Sequence, residues 1–313
     1  HYDQAEDLIR ASYMLQASKP NSKKADELFV RGIAKQGNAT QEAYISYYYY
    51  NLYSLWYVAA DGDKPALKKR LISEYFNLSR LISEANMSVK AQENLTTYFN
   101  YVVRSCDDIL PDLKGFMSSL SQDPAVKKAA VMNFITLLED KECTSAPEYT
   151  QLIDTLVGID PNSLDAQMMK AKALMSKNDF REAISTLKTA KELSTDEAQK
   201  QEITYEIARA QFSSGSYTAA YNTAMTISGD LKSKALIIAG KAVGQNANNC
   251  GASTFERKCN NIYAVQLLQQ GGAGASTIAK YKNNYPTGQD CFDNGSPTSV
   301  TLSCYGVTVT PCN

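Results

Sequence analysis

Two stretches of the sequence align with each other without a gap: residues 171–183, AKALMSKNDFREA, and residues 208–220, ARAQFSSGSYTAA. Both have Ala at the first, third and last positions and an aromatic residue at the tenth, Phe180 in one copy and Tyr217 in the other. Small residues at these spacings let two helices approach closely, and a ring fills the space where they cross. Each copy therefore predicts a helix, a turn and a second helix.

This pattern resembles the tetratricopeptide repeat, in which a small residue on the first helix precedes a glycine–aromatic turn and an Ala on the second helix. The copies start 37 residues apart, at 171 and 208, and Asn178 stands where the second copy has Gly215. The resemblance is clearest over residues 158–228. It implies an α-solenoid that binds peptides or protein segments along its concave face.

Residues 1–285 are predicted to be helical throughout, because apolar residues recur at intervals of three and four. Two capping boxes, Ser145–Glu148 and Ser194–Glu197, predict helix starts. The fold class expected is therefore all-α: a tetratricopeptide-like solenoid of antiparallel helix hairpins over residues 1–285.

Residues 286–313 differ in composition, because they contain no Lys or Arg. Val300–Cys304 and Val307–Thr310 alternate apolar and polar residues, which is the period of a strand. This segment is predicted to be a short C-terminal tail, β or extended, that contains cysteines. We expect the tail to dock on its own chain or on a neighbouring one, with Val300, Leu302, Val307 and Val309 as candidate contacts.

Seven cysteines occur, and five of them lie in the last 64 residues. Disulfides are favoured over free thiols, and a metal site is disfavoured because CxxC pairs and neighbouring histidines are missing. The pairs considered are Cys250–Cys259, Cys106–Cys143, and two of the three tail cysteines. The tail cysteines are Cys291, Cys304 and Cys312. Since seven is odd, one cysteine stays free or pairs between chains.

Charge balance, hydropathy and the absence of known motifs exclude several classes of function. With 32 basic and 33 acidic residues the net charge is −1, which gives no electrostatic basis for binding nucleic acid. No apolar stretch reaches the roughly 18 residues of a transmembrane helix. The one histidine is His1, so a histidine triad or multi-histidine metal site is excluded, and phosphate-loop and nucleophile-elbow motifs are absent. We expect neither an enzyme nor a bound cofactor.

The start at His1 rather than Met, together with the cysteines, favours a secreted, extracellular or cell-surface protein, with the periplasm as the alternative. Five Asn-x-Ser/Thr sequons are candidate glycosylation sites in such a compartment. They are Asn38, Asn77, Asn86, Asn94 and Asn294.

The most unusual run of the chain lies between Tyr44 and Tyr57, which includes seven tyrosines and the single Trp. Four consecutive tyrosines cover every side of a helix, so the run indicates either core packing or a contact surface for protein or carbohydrate. The candidate interface residues are Tyr47, Tyr48, Tyr49, Tyr50 and Trp56.

These features predict a non-catalytic structural protein that assembles with itself, as the subunit of a surface filament, through the ends of its solenoid and through its tail. The alternative is an exported adaptor that captures a peptide, protein or glycan in the concave groove. The basic residues expected on first helices are Lys170, Lys172, Arg209 and Lys241.

Overall fold

A computed structural model describes residues 2–17, 22–118 and 120–312. Contacts within the chain divide it between Ile159 and Asp160 into two compact units. The predicted tail belongs to the second unit, so the chain does not divide at residue 285.

The first unit is helical over its described residues. Its helices are α1 (Tyr2–Ala17), α2 (Lys23–Gln36), α3 (Glu42–Val58), α4 (Lys64–Glu84), α5 (Val89–Val102), α6 (Cys106–Met117), α7 (Pro124–Asp140) and α8 (Pro147–Ile159), with a 3₁₀ turn at Gly37–Ala39. Helix α4 is the longest and packs against α3, α5, α6 and α7. Phe76 on α4 meets Phe99, Phe116 and Phe134 at ring-centroid distances of 5.2–6.5 Å, so a shared aromatic core holds these helices together.

The second unit is a regular series of helix pairs followed by a small sheet. Its elements are α9 (Leu164–Ser176), α10 (Phe180–Leu193), α11 (Glu197–Ser213), α12 (Tyr217–Met225), α13 (Lys232–Gln245), α14 (Thr254–Gln270), α15 (Ala275–Lys282), α16 (Gly288–Asp293), β1 (Val300–Leu302) and β2 (Val307–Val309), with 3₁₀ turns at Gly229–Leu231 and Ala247–Asn249. Each helix from α9 to α14 packs against the next, as in an α-solenoid of the tetratricopeptide kind.

The two aligned stretches form the hairpins α9–α10 and α11–α12. The alanines that open and close each stretch are buried: Ala171, Ala183, Ala208 and Ala220. Asn178 and Gly215 occupy the same position in the two turns and both have positive φ, +61° and +78°. Asn is among the few residues besides Gly that tolerate this left-handed conformation. The exchange of Gly for Asn therefore leaves the turn unchanged.

The tail is part of the second unit and not a separate extended segment. Strands β1 and β2 form an antiparallel hairpin in which Thr301 faces Thr308. They lie in the two segments where the alternation of apolar and polar residues predicted strands. The expectation of β or extended structure is wrong for residues 288–293, which form α16. Thr287 and Asp290 cap this helix reciprocally, and such a box stabilises even a single turn.

The predicted capping box at Ser194 is also displaced. Asp196 is the N-cap of α11, and its side chain accepts a hydrogen bond from the Gln199 amide at 2.7 Å. Ser194 instead donates to the Gln199 side chain at 2.8 Å. The helix therefore starts two residues later, because the carboxylate is the stronger acceptor for the first free amides and the negative charge suits the helix N-terminus.

Close contact between α13 and α14 depends on Gly240. A Cβ at this position would lie 2.8 Å from the Ala264 carbonyl oxygen.

We expect Gly240→Ala to lower the free energy of unfolding by about 1–3 kcal/mol, because the two helices must separate. Gly158→Ala in α8 is the control, since a Cβ there meets nothing within 4 Å, and it should leave stability unchanged or slightly higher. Chemical denaturation followed by circular dichroism measures both; equal effects would contradict this role of Gly240.

Candidate interaction surfaces

Helices α3 and α5 lie side by side and run in the same direction. Asn94 on α5 donates to the Ser46 hydroxyl at 3.3 Å, and one turn further along both helices Tyr98 meets Tyr50, with ring centroids 5.2 Å apart. Each of these pairs is separated by 48 residues in sequence. Side chains at equivalent positions of the two helices therefore contact each other across the groove between them.

Five tyrosines occupy this groove, and we call them the tyrosine ladder. They are Tyr50, Tyr53, Tyr57, Tyr98 and Tyr101. Tyr53 is central: its ring centroid lies 5.2 Å from Tyr98, 5.8 Å from Tyr101 and 6.1 Å from Tyr57. Tyr57 and Tyr101 are 67% and 56% exposed. Partial burial raises the pKa of Tyr53 and of Tyr98.

Not all the predicted interface tyrosines belong to this surface. Tyr48 and Tyr49 are buried, so their assignment to an interface is wrong. Tyr49 donates to the Leu71 carbonyl at 3.0 Å, and Tyr48 accepts from Arg70 at 3.1 Å. Burial raises the pKa of both phenols. Their positions on the helix face α4 and the preceding hairpin, and there the ring fills the core while the hydroxyl finds a partner.

The remaining candidates of this run stay on the surface. Tyr47 is exposed, and Trp56 is half-buried beside Tyr53 at a centroid distance of 5.9 Å. The sequence prediction did not include Tyr98 and Tyr101. A signal for them exists, because they repeat the three-residue spacing of Tyr50 and Tyr53 on the neighbouring helix.

A groove in the second unit runs across α11, α13 and α15. It includes one cavity of about 250 Å³ and another of about 450 Å³, and Phe212 and Lys241 line both. The first cavity is lined by Tyr205, Arg209, Phe212, Ser213, Lys234, Ile237, Ile238 and Lys241, and the second by Phe212, Lys241, Gln245, Ser276, Thr277, Lys280 and Tyr281.

The described residues that line this groove include charged side chains of one sign only, and all are basic. They are Arg209, Lys234, Lys241 and Lys280. Arg209 is paired with Glu206 one turn earlier at 2.7 Å. Arg209 and Lys241 are among the basic residues predicted for first helices, whereas Lys170 of α9 pairs with Glu182 at 3.0 Å. The groove thus combines aromatic and aliphatic walls with positive charge.

The tail packs on α14 within the same chain. Leu302 and Val309 are buried there, and Val300 and Val307 are half-buried beside them. The Tyr305 ring, from the turn between the strands, lies 4.7 Å from the Tyr221 ring. Leu302 and Val309 are therefore core residues of the second unit: of the two alternatives, the tail docks on its own chain, and these two side chains are not available as assembly contacts.

Six of the seven cysteines form three disulfides. Cys106 pairs with Cys143, Cys250 with Cys304, and Cys291 with Cys312. The expectation that Cys250 pairs with Cys259 is wrong: Cys250 reaches the tail instead, with a Cα–Cα distance of 5.9 Å to Cys304. Two covalent bonds thus involve the tail, one to the 3₁₀ turn before α14 and one that closes the tail on itself.

An ion pair adds to these bonds. Lys258 on α14 donates to both carboxylate oxygens of Asp290 on α16, at 2.7 and 2.9 Å. The hydrogen bond from Lys258, followed by those from Thr287, lowers the pKa of Asp290 to about 2. The Asp290 carboxylate therefore stays ionised, and the pair stays formed, through the acidic range in which an ordinary carboxyl group takes up a proton.

The candidate glycosylation sites differ in exposure. Asn38, Asn77, Asn86 and Asn294 are exposed, and Asn94 is half-buried at the edge of the tyrosine ladder. Large apolar side chains are also exposed at three helices outside the ladder: Ile9 (42%) and Tyr13 (67%) on α1, Val30 on α2 and Phe292 (77%) on α16.

Within the part of the chain that the structure describes, no group of three or more His, Cys, Asp or Glu side chains is arranged to hold a metal ion. His1 lies outside the described residues. Among the described helices, none is long and apolar enough to cross a membrane.

Comparison with solved structures finds a similarity to the crystal structure of the TPR domain of P58(IPK). The identity is 12%, the match covers 94% of this chain and 80% of that one, and the TM-score is 0.32. No family model and no curated protein matches the chain. The tetratricopeptide-like arrangement is evident in the hairpins and buried alanines of α9 to α12 themselves.

Cys259 is the cysteine outside the three disulfides, and it is buried. Burial, with Glu256 and Asp290 nearby, raises the pKa of its thiol to about 11. We expect iodoacetamide at pH 8 to leave the native protein unmodified and to add one group per chain after unfolding without reductant. Non-reducing peptide mapping should recover Cys250 linked to Cys304. Rapid labelling of the native protein, or three reactive thiols after unfolding, would show that this disulfide map is incorrect.

Proposed function

We propose that this is a non-catalytic extracellular protein that works through protein contacts, and that its main partner is a second copy of itself, in a surface filament. Three disulfides support an oxidising compartment. The helical repeat supports a contact role, because repeat proteins expose long surfaces and bind through them.

The observation that most favours self-assembly is exposed apolar surface on helices near both ends of the described chain. Ile9 and Tyr13 lie one turn apart on the exposed face of α1, and Phe292 projects from α16. Exposed apolar surface of this kind marks a site of protein contact. A contact between α1 of one copy and α16 of another would cover these side chains and generate a filament if the rotation does not close.

The buried tail limits how copies can join. Because Leu302 and Val309 are core residues of their own unit and two disulfides involve the tail, the exchange of strands between copies is disfavoured. The proposed contact uses the outer surface of the docked tail, which includes Phe292. For the same reason a deletion of residues 286–312 is a poor test, since it would expose the core around α14.

Point variants test the assembly. We expect the purified chain to form filaments or large oligomers in electron micrographs and light scattering. Ile9→Asp combined with Tyr13→Asp, or Phe292→Asp alone, should raise the concentration needed for assembly at least about tenfold, because a charge replaces a buried apolar contact. Val89→Asp, at another exposed position, is the control. A wild-type chain that stays monomeric at high concentration would refute self-assembly.

A second candidate function is the capture of an acidic protein segment in the groove of the second unit. Its four basic side chains and its apolar walls are complementary to a peptide with carboxylates beside apolar residues. This role is compatible with assembly, since the groove lies on first helices and the proposed contacts involve α1 and α16.

Peptide binding can be measured by calorimetry with an acidic, leucine-containing peptide and a neutral peptide of the same length. We expect only the acidic peptide to bind, and we expect its affinity to fall as the salt concentration is raised. Lys241→Glu, which changes the residue shared by both cavities, should weaken binding about tenfold, and Lys188→Glu on α10 should have no effect. Equal binding of the two peptides, or insensitivity to Lys241→Glu, would count against this function.

A further inference from the structure

The tyrosine ladder has a geometry that neither proposed function uses. Tyr98 lies 5.2 Å from both Tyr50 and Tyr53, measured between ring centroids, and the rings are inclined at 40° and 34°. Rings at such separations are in van der Waals contact. Because α3 and α5 are fixed by a common core with α4, these phenols stay together without any further movement of the chain.

We propose that the tyrosine ladder is an oxidative cross-linking site, at which a peroxide-dependent one-electron oxidant joins α3 to α5 by a carbon–carbon bond between Tyr98 and Tyr50 or Tyr53. This inference rests on the geometry of the ladder and does not depend on self-assembly or peptide binding.

The reaction balances with peroxide as the oxidant. Each phenol loses one electron and one proton to become a neutral phenoxyl radical, whose unpaired electron is shared between the oxygen and the ortho carbons. Two adjacent radicals form a bond between ortho carbons, and the two ring hydrogens then move to the oxygens. One hydrogen peroxide is reduced to two water molecules, and the linked pair contains two hydrogens fewer than two tyrosines.

Exposure and position favour this site over the other tyrosine cluster of the chain. Tyr57 and Tyr101, at the end of the ladder, are more than half exposed, so an oxidant in solution reaches the ladder directly. Tyr221, Tyr263 and Tyr305 also contact each other, at 4.7–6.1 Å. Tyr221 and Tyr263 are buried, however, and their hydroxyls share a hydrogen bond of 2.9 Å. The second cluster therefore serves as an internal control.

The surroundings of the ladder do not divert the radical to a thiol. In the first unit Cys106 and Cys143 form a disulfide, and Cys259 is buried in the second unit. Contact between rings keeps the effective concentration of one phenoxyl near another high, so coupling within the ladder should outrun coupling between molecules in dilute solution. The product would be a second covalent link in the first unit.

The test uses the full chain, dilute and native, with a peroxidase and hydrogen peroxide, and N-acetyltyrosine as a check that the oxidant works. Trypsin releases Tyr50 and Tyr53 on residues 36–68 and Tyr98 on residues 91–104. We expect dityrosine fluorescence and a linked pair of these peptides, two hydrogens lighter than their sum. After reduction of the disulfides, the peptides with Tyr221, Tyr263 and Tyr305 should show no such link to one another.

Variants and unfolding make the outcome decisive. Tyr98→Phe combined with Tyr101→Phe should reduce linkage to residues 36–68 at least about tenfold, since only the hydroxyls are removed and the packing is kept. Tyr13→Phe, at an exposed tyrosine outside the ladder, should not change it. Urea should abolish the preference for this pair. Linkage that is absent from the native chain, equally frequent at Tyr13, or unchanged in urea would overturn the proposal.

Discussion

Helix α14 must be covered on nearly all sides, and most features of the second unit follow from this requirement. Ten of its seventeen residues are buried, where a surface helix would bury one stripe. Helix α13 covers one side, at a distance that Gly240 makes possible. The tail covers another with Leu302 and Val309. The tail is therefore a structural cap of the repeat series, and its disulfides hold a cover that two three-residue strands could not maintain alone.

The docking of the tail on its own unit limits the contacts that an assembly of copies could use. A tail that was free to exchange would offer strand addition to a neighbour, as its alternating sequence first indicates. A tail that completes its own core would expose α14 if it left. The edges and outer side chains of the docked tail are what remain for contacts between copies. The proposed assembly would then join surfaces that are already complete in each copy, and its affinity would depend on a few well-buried apolar residues.

How much of this could be predicted from sequence depends on where the controlling contacts lie. The turn at Asn178 and Gly215 was predictable, because its conformation is local and only a few residue types tolerate it. The helix α16 was missed although Thr287–Asp290 is a capping signal, since six residues are too few to show a helical period. The pairing of Cys250 with Cys304 was not predictable, because it depends on how α14 brings the tail back to the turn before it.

The tyrosine run shows the same limit most clearly. Four consecutive tyrosines give no amphipathic pattern, so the sequence alone cannot indicate which ring faces inward. Position on the helix determines it: Tyr48 and Tyr49 point at α4 and the preceding hairpin, where their hydroxyls meet Arg70 and the Leu71 carbonyl. Tyr50 and Tyr53 point at α5, where the facing residues are also tyrosines. One residue type thus supplies a core on one side of α3 and a solvent-accessible row of phenols on the other. The difference in their chemistry comes entirely from the neighbouring helices.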